Sequence, residues 1–98
     1  MNRVKESEWE AALIAAALWA NGNRWPTEDQ LAYLRSLLNP ERSQASLEMR
    51  TWRMQTAFDP QCGANGMSKL DDDMVELFEL KPDVMMALAR KLGELLTA

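Results

Sequence analysis

The hydrophobic positions of this chain recur at helical spacing, and turn-forming residues divide them into five segments. The longest apolar run, residues 11–20 (AALIAAALWA), follows Ser7 and Glu10, which fit a capping box. The tripeptide NGN at 21–23 favours a stop there, because asparagine and glycine tolerate left-handed backbone conformations. We therefore predict a first helix from Ser7 to about Ala20.

The next two segments are separated by Asn39 and Pro40. Thr27 and Gln30 fit a second capping box, and the leucines at 31, 34, 37 and 38 follow with helical spacing. Asparagine is a good N-cap, and proline is well suited to the first helical position. The pair therefore ends the second helix and predicts a third from Pro40 to about Phe58.

The predicted third helix is apolar on two faces. Because successive helical residues point about 100° apart, its apolar side chains fall into two nearly opposite groups. A helix with two apolar faces is usually packed between neighbours, so we predict that this segment, about 40–58, is the central helix. The two groups are Ala45, Met49, Trp52 and Thr56, and Leu47, Met54 and Phe58.

Two shorter helices are predicted after the loop at 59–68. Ser68 is placed to cap a helix that ends near Leu80, and the pair Lys81-Pro82 breaks it. A last helix from Pro82 to about Leu96 carries an apolar seam that can pack within the domain or against a second copy. The prediction is thus an all-α fold, a compact single domain over residues 1–98 with about five helices. The seam is formed by Met85, Leu88, Leu92 and Leu95.

Composition changes this picture little. The chain has 98 residues, 47% of them hydrophobic and 27% charged, as expected of a globular domain. The ten-residue apolar run spans about 15 Å as a helix, half of the roughly 30 Å of a bilayer core. Acidic residues precede it where a secretion signal would be basic, so we expect a cytoplasmic protein without a membrane segment. The single cysteine, Cys62, cannot form an internal disulfide, and we expect its thiol to have an ordinary pKa.

No catalytic or cofactor motif is present. The absence of histidine excludes Ser–His and Cys–His nucleophilic pairs and imidazole-bound zinc. The segment GANGMSK at 63–69 lacks the order and spacing of a phosphate-binding loop. The run Asp71, Asp72 and Asp73 cannot converge on one ion from a helix, and it suits the positively polarised start of the fourth helix. We therefore predict a non-enzyme with no cofactor and no metal.

The net charge of −4 lies entirely in the C-terminal part of the chain. Residues 1–58 carry seven basic and seven acidic side chains, whereas residues 59–98 carry four basic and eight acidic ones. Such a surface attracts basic partners, so we predict a protein or ribonucleoprotein partner with a basic surface. Trp25, in the loop before Pro26, is a candidate aromatic anchor. The predicted acidic partner-binding face is Asp71, Asp72, Asp73, Glu76 and Glu79.

These observations favour a small acidic protein that binds another macromolecule and inhibits or regulates it. Size and charge are typical of inhibitors carried by phages and mobile elements, such as anti-CRISPR proteins, and of immunity proteins, although no motif identifies such a family. One alternative is a DNA-binding regulator that uses an arginine face, which the sequence pI of about 4.8 opposes. A second alternative is a structural adaptor that forms homodimers; the sequence allows a monomer or a homodimer. The arginine face would consist of Arg35, Arg42, Arg50 and Arg53.

Overall fold

The computed structural model describes residues 3–37, 43–65 and 68–97, which form five α-helices joined by short connections. A 3₁₀ turn at Pro60–Cys62 lies between the third and fourth helices. Within the described residues there is no β-strand, so the predicted all-α class is confirmed. The helices are α1 (Arg3–Ala20), α2 (Glu28–Leu37), α3 (Gln44–Phe58), α4 (Lys69–Leu80) and α5 (Pro82–Thr97).

Local side-chain chemistry sets several helix ends where the sequence predicts them. The Thr27 hydroxyl accepts from the amide of Gln30 at 3.2 Å, and the Gln30 side chain accepts from the amide of Thr27 at 2.8 Å. Ser68 caps α4 by accepting from the amide of Asp71 at 3.2 Å. After α1 the chain turns through positive φ angles at Gly22 and Asn23. The second capping box, the Ser68 cap and the turn at 21–23 are therefore confirmed.

Two predicted helix starts are wrong. α1 begins at Arg3, so Ser7 lies inside the helix and is not its N-cap. α3 begins at Gln44, after Ser43, whose backbone is extended and whose hydroxyl accepts from the amide of Ser46 at 3.1 Å. A serine in this conformation satisfies one of the free amides of the first turn, which fixes the start there. Asn39 and Pro40, on which the earlier start was predicted, lie outside the described residues.

The central helix is α1, so the prediction that the third helix is central is wrong. α1 packs against each of the other four helices, whereas α3 does not contact α5. Residues 11–16 of α1 are all buried, together with Leu18, because the short alanine side chains on either side of Leu13 and Ile14 let neighbouring helices approach closely. On α3, in contrast, Ala45, Met49 and Trp52 are exposed.

An aromatic cluster joins α1, α3 and α4 at one end of the core. The ring centroids of Trp19, Phe58 and Phe78 lie 6.0 to 6.4 Å apart, within the range of favourable tilted and edge-to-face contacts. Phe78 is fully buried, and the other two rings are partly buried. This packing fixes the orientation of α4, whose outer side carries most of the candidate site.

Candidate functional site

Asp71 does not lie on the acidic surface to which the sequence assigned it. Its residue is 1% exposed, and its Oδ1 lies 2.5 Å from Nη1 of Arg50. These two atoms do not meet in hydrogen-bond geometry, so the contact is an ion pair. Asp71 is the third residue of α4, and its side chain points toward α3 and the core. The predicted acidic face is therefore corrected to exclude Asp71.

Arg50 forms a second contact, with Glu10 of α1. Its Nε lies 3.4 Å from Oε1 of Glu10, so one guanidinium lies between two carboxylates from different helices. All three side chains are largely removed from solvent. A buried charge is costly unless it is paired, so this cluster ties α1, α3 and α4 into one arrangement.

The four predicted arginines do not form an open basic face in the part of the chain that the structure describes. Arg50 is taken up by the buried cluster, and Arg35 is only partly exposed. Arg53 is exposed on α3, and Arg42 lies outside the described residues. A surface that binds duplex DNA needs several free cations side by side. Of these four arginines, the one that is exposed among the described residues is Arg53.

The remaining acidic side chains of α4 are exposed on two adjacent strips of the helix. Asp72, Glu76 and Glu79 follow one another at helical spacing and are exposed, and Glu79 lines a separate cleft beside Trp19 and Phe58. Asp73 lies on the neighbouring strip, which also carries the exposed Leu77 and Leu80. Carboxylates and apolar side chains thus share the outer surface of one helix.

A cleft of about 470 Å³ lies between α1, α4 and α5, beside this strip. Among the described side chains, its ionisable lining residues are Glu8 and Asp73, and both are acidic. We call this cleft the acidic groove. Its larger apolar lining residues include Trp9, Leu70, Met74, Leu77, Leu88 and Leu92.

The walls of the acidic groove expose large apolar side chains. Trp9 is 38% exposed, Leu77 45% and Leu88 46%. Leu80 and Val84, on either side of the break between α4 and α5, are exposed to a greater extent. Clustered apolar exposure of this kind marks interaction surfaces in soluble proteins.

A second cleft, of about 520 Å³, lies between α1, α2 and α5. Alanines 16, 17 and 20 form much of its wall, and Tyr33 is its exposed aromatic side chain. Asp29, Glu94 and Arg90 give its edge both signs of charge. This cleft therefore offers fewer large apolar contacts and no single charge preference.

The predicted anchor, Trp25, is exposed in the loop before α2, and it does not line the acidic groove.

Cys62 lies in the 3₁₀ turn, where desolvation by burial and then the charge of Asp59 raise the pKa of its thiol. The expectation of an ordinary pKa is therefore wrong, and the shift disfavours the thiolate. The indole of Trp52 donates to the carbonyl of Cys62 at 2.7 Å and fastens this turn to α3.

The sequence prediction missed the apolar half of the site. Trp9 and Leu77 are not among the residues singled out from the sequence, and Leu88 is predicted there in a seam that can pack within the domain or against a second copy. The sequence contains one indication of this exposed surface. The apolar residues Leu70, Val75 and Leu80 are spread so widely around α4 that one packed face cannot bury them all.

Within the described ranges, no three acidic or cysteine side chains are grouped closely enough to hold a metal ion. None of the helices described carries an apolar stretch of the length needed to cross a bilayer. No protein-family model, curated protein or solved structure matches this chain. The shape and chemistry of its own surface are therefore what indicate its function.

Proposed function

We propose that this chain is a non-enzymatic protein that binds a partner protein through the acidic groove and the adjacent outer surface of α4. By covering a basic surface of that partner, alone or within a ribonucleoprotein, it inhibits or regulates it. The observation that carries the proposal is the exposure of large apolar side chains directly beside a concentration of carboxylates.

The apolar part of the surface supplies the attraction. Protein interfaces combine an apolar centre with a polar rim, and aromatic and large aliphatic side chains in the centre contribute most of the binding free energy. Trp9, Leu77 and Leu88 have the exposure and position of such a centre. The part of each side chain that is in water adds no burial free energy to the free protein.

The carboxylates supply the selectivity for a basic partner. Asp72, Asp73, Glu76 and Glu79 are exposed, and they lie on the same helix as Leu77. Charges at the rim of an interface chiefly accelerate association and exclude partners of like charge, and salt screens them. Partner binding should therefore weaken as the salt concentration rises.

The size and charge of the chain support the inhibitory part of the proposal. A domain of 98 residues with a net charge of −4 can fill a basic groove on a larger target. Inhibitors from phages and mobile elements, such as anti-CRISPR proteins, and immunity proteins are of this kind. A DNA-binding regulator is less well supported, because Arg50 belongs to the buried cluster.

Affinity capture from a cell extract tests the proposal. The wild-type chain is compared with the double variant Asp72→Lys and Asp73→Lys, and bound proteins are identified by mass spectrometry. We expect the main partner to be recovered by the wild-type chain at low salt and reduced by at least about tenfold with the variant. Asp71 is left unchanged, because its substitution would break the buried ion pair.

The matched control is Glu28→Lys with Asp29→Lys. It also reverses two consecutive exposed acids near the start of a helix, and because Glu28 and Asp29 are the first two residues of α2, its unfavourable interaction with the helix dipole is at least as large. The control should retain the partner. Equal recovery of the partner by the Asp72→Lys and Asp73→Lys variant would show that this surface is not the binding site.

A further inference from the structure

We infer that the occupant of the acidic groove is a single amphipathic helix of the partner, with apolar side chains on one face and lysine or arginine along its edge. This inference rests on the proposed function and specifies the chemistry of the partner at the same site. Three properties of the groove carry it: its length, the adaptability of its floor and the sign of its charge.

The length of the groove matches about two turns of helix. Leu70, Met74 and Leu77 line it from α4 at positions i, i+4 and i+7, and Met85, Leu88 and Leu92 line it from α5 at i, i+3 and i+7. Seven residues of helix cover about 10 Å. A partner helix that inserts side chains at i, i+3 or i+4, and i+7 presents apolar contacts over the same distance.

The floor of the groove is apolar and adaptable. Met74 and Met85 are buried there, and Ala12 of α1 lies between the walls. Methionine side chains are flexible and polarisable, so they adjust to apolar side chains of differing shape. Such a floor accepts leucine, isoleucine or phenylalanine from an inserted helix.

The charge of the groove selects the edge of that helix. Glu8 of α1 and Asp73 of α4 are the ionisable side chains that line it among those the structure describes, and Asp72 and Glu76 are exposed on the neighbouring strip of α4. Lys69 and Lys91 lie on the same two outer helices, but neither lines the groove. An inserted helix therefore meets carboxylates at the rim and is favoured by basic side chains there.

The same charges disfavour the other occupants. In a symmetric dimer built on this groove, the acidic rims of two copies would face each other. A membrane surface rich in anionic lipid would also be repelled. A basic helix from a different protein satisfies both the apolar walls and the charge of the rim.

Selection from a displayed library of 16-residue helical peptides tests the inference. Peptides are selected on the wild-type chain, and the enriched sequences are synthesised for binding measurements. We expect apolar residues at i, i+3 or i+4, and i+7, with an excess of lysine and arginine over acidic residues. Leu88→Asp and Asp73→Lys should each weaken binding by at least about tenfold, since each removes a contact at the centre or rim.

Tyr33→Asp is the control for Leu88→Asp, because it places the same charge at an exposed large side chain of the second cleft. It should leave peptide affinity within about twofold, well under the tenfold loss that marks a central contact. Nuclear magnetic resonance adds a direct readout: of the four tryptophan indole N–H signals, that of Trp9 should shift most when a selected peptide is added.

The inference fails if the enriched peptides lack helical periodicity or basic residues, or if they bind Leu88→Asp as tightly as the wild-type chain. It also fails if sedimentation shows a wild-type dimer that Leu88→Asp converts to a monomer, or if the chain binds anionic vesicles through the groove. Should no helix bind while Asp72→Lys with Asp73→Lys still loses the captured partner, the proposed function stands and only the helical occupant is wrong.

Discussion

Asp71 and Asp73 are two residues apart in one run of aspartates, yet the fold gives them opposite surroundings. Asp71 is buried against Arg50, and Asp73 is exposed at the rim of the acidic groove. The difference follows from helix geometry, because positions i and i+2 point about 200° apart. One carboxylate therefore contributes to the core and the other to the surface.

The same substitution, made at Asp71 and at Asp73, tests this difference in their surroundings. Asp71→Asn removes one of the two carboxylates beside the largely buried Arg50, which keeps Glu10, so we expect the free energy of unfolding to fall by about 1 to 3 kcal/mol. Asp73→Asn makes the same change at an exposed position and should alter it by less than about 0.5 kcal/mol. Urea denaturation measures both values.

A further variant separates loss of the charge from loss of packing. Arg50→Met combined with Glu10→Gln and Asp71→Leu removes all three charges of the cluster and fills most of the space with apolar atoms, which is often neutral or stabilising for buried ion pairs and triads. The triple variant should therefore be more stable than Asp71→Asn. Equal losses for Asp71→Asn and Asp73→Asn would mean that the buried pair is not important for stability.

At the scale of the element, α4 combines three surfaces on twelve residues. Met74, Val75 and Phe78 pack into the core, Leu70 and Leu77 line the groove, and the carboxylates occupy the rest. The start of the helix depends on Ser68, whose hydroxyl accepts from the amide of Asp71. The cap therefore fixes where the helix begins, and the packing of Phe78 in the core turns Asp71 inward and Asp73 outward.

Ser68→Ala removes this cap, and we expect the free energy of unfolding to fall by about 1 kcal/mol. Ser68→Asp keeps a capping oxygen and should restore most of the loss. The control is Ser36→Ala, because the Ser36 hydroxyl donates to the carbonyl of Tyr33 within α2 and caps no helix. Thermal or chemical denaturation distinguishes them; a loss for Ser36→Ala as large as for Ser68→Ala would contradict a specific capping effect.

In the molecule as a whole, α1 packs against every other helix, and the exposed side chains of the groove contribute little to the core. Leu18 of α1 is fully buried, whereas Leu88 of α5 is nearly half exposed. The apolar side chains exposed at the groove are thus not used by the core. They remain available to a partner, as a binding surface requires.

Leu18→Ala should lower the free energy of unfolding by about 2 to 5 kcal/mol, because it leaves a cavity in the centre of the bundle. Leu88→Ala makes the same change at the groove and should cost less than about 1 kcal/mol, since much of the side chain is already in water. Met49→Ala, on the exposed side of α3, should also have a small effect. A loss for Met49→Ala as large as for Leu18→Ala would restore α3 as the central helix.

The helical class, and the helix ends that depend on neighbouring residues, could be predicted from the sequence alone. The Thr27–Gln30 box, the Ser68 cap, the break at Pro82 and the turn at Gly22 each act over a few residues, so their spacing is sufficient to predict them. Ser7 shows the limit of such reasoning. It fits a capping box, yet α1 begins at Arg3, whereas Ser43, which is not among the residues predicted as caps, is the N-cap of α3. Whether a helix extends beyond a serine depends on the backbone around it and on the contacts that the added turns make.

Three features depend on tertiary packing. They are the identity of the central helix, the direction of the Asp71 side chain and the presence of the groove. The two-sided apolar pattern of α3 gives the same sequence signal as a sandwiched helix, yet burial depends on which helices pack against it, and α1 has more neighbours. Asp71 finds its partner on α3 and the groove takes its walls from three helices, so residues far apart in the chain create both. Helix periodicity records the direction of a side chain from its own axis, and it carries no information about what lies in that direction.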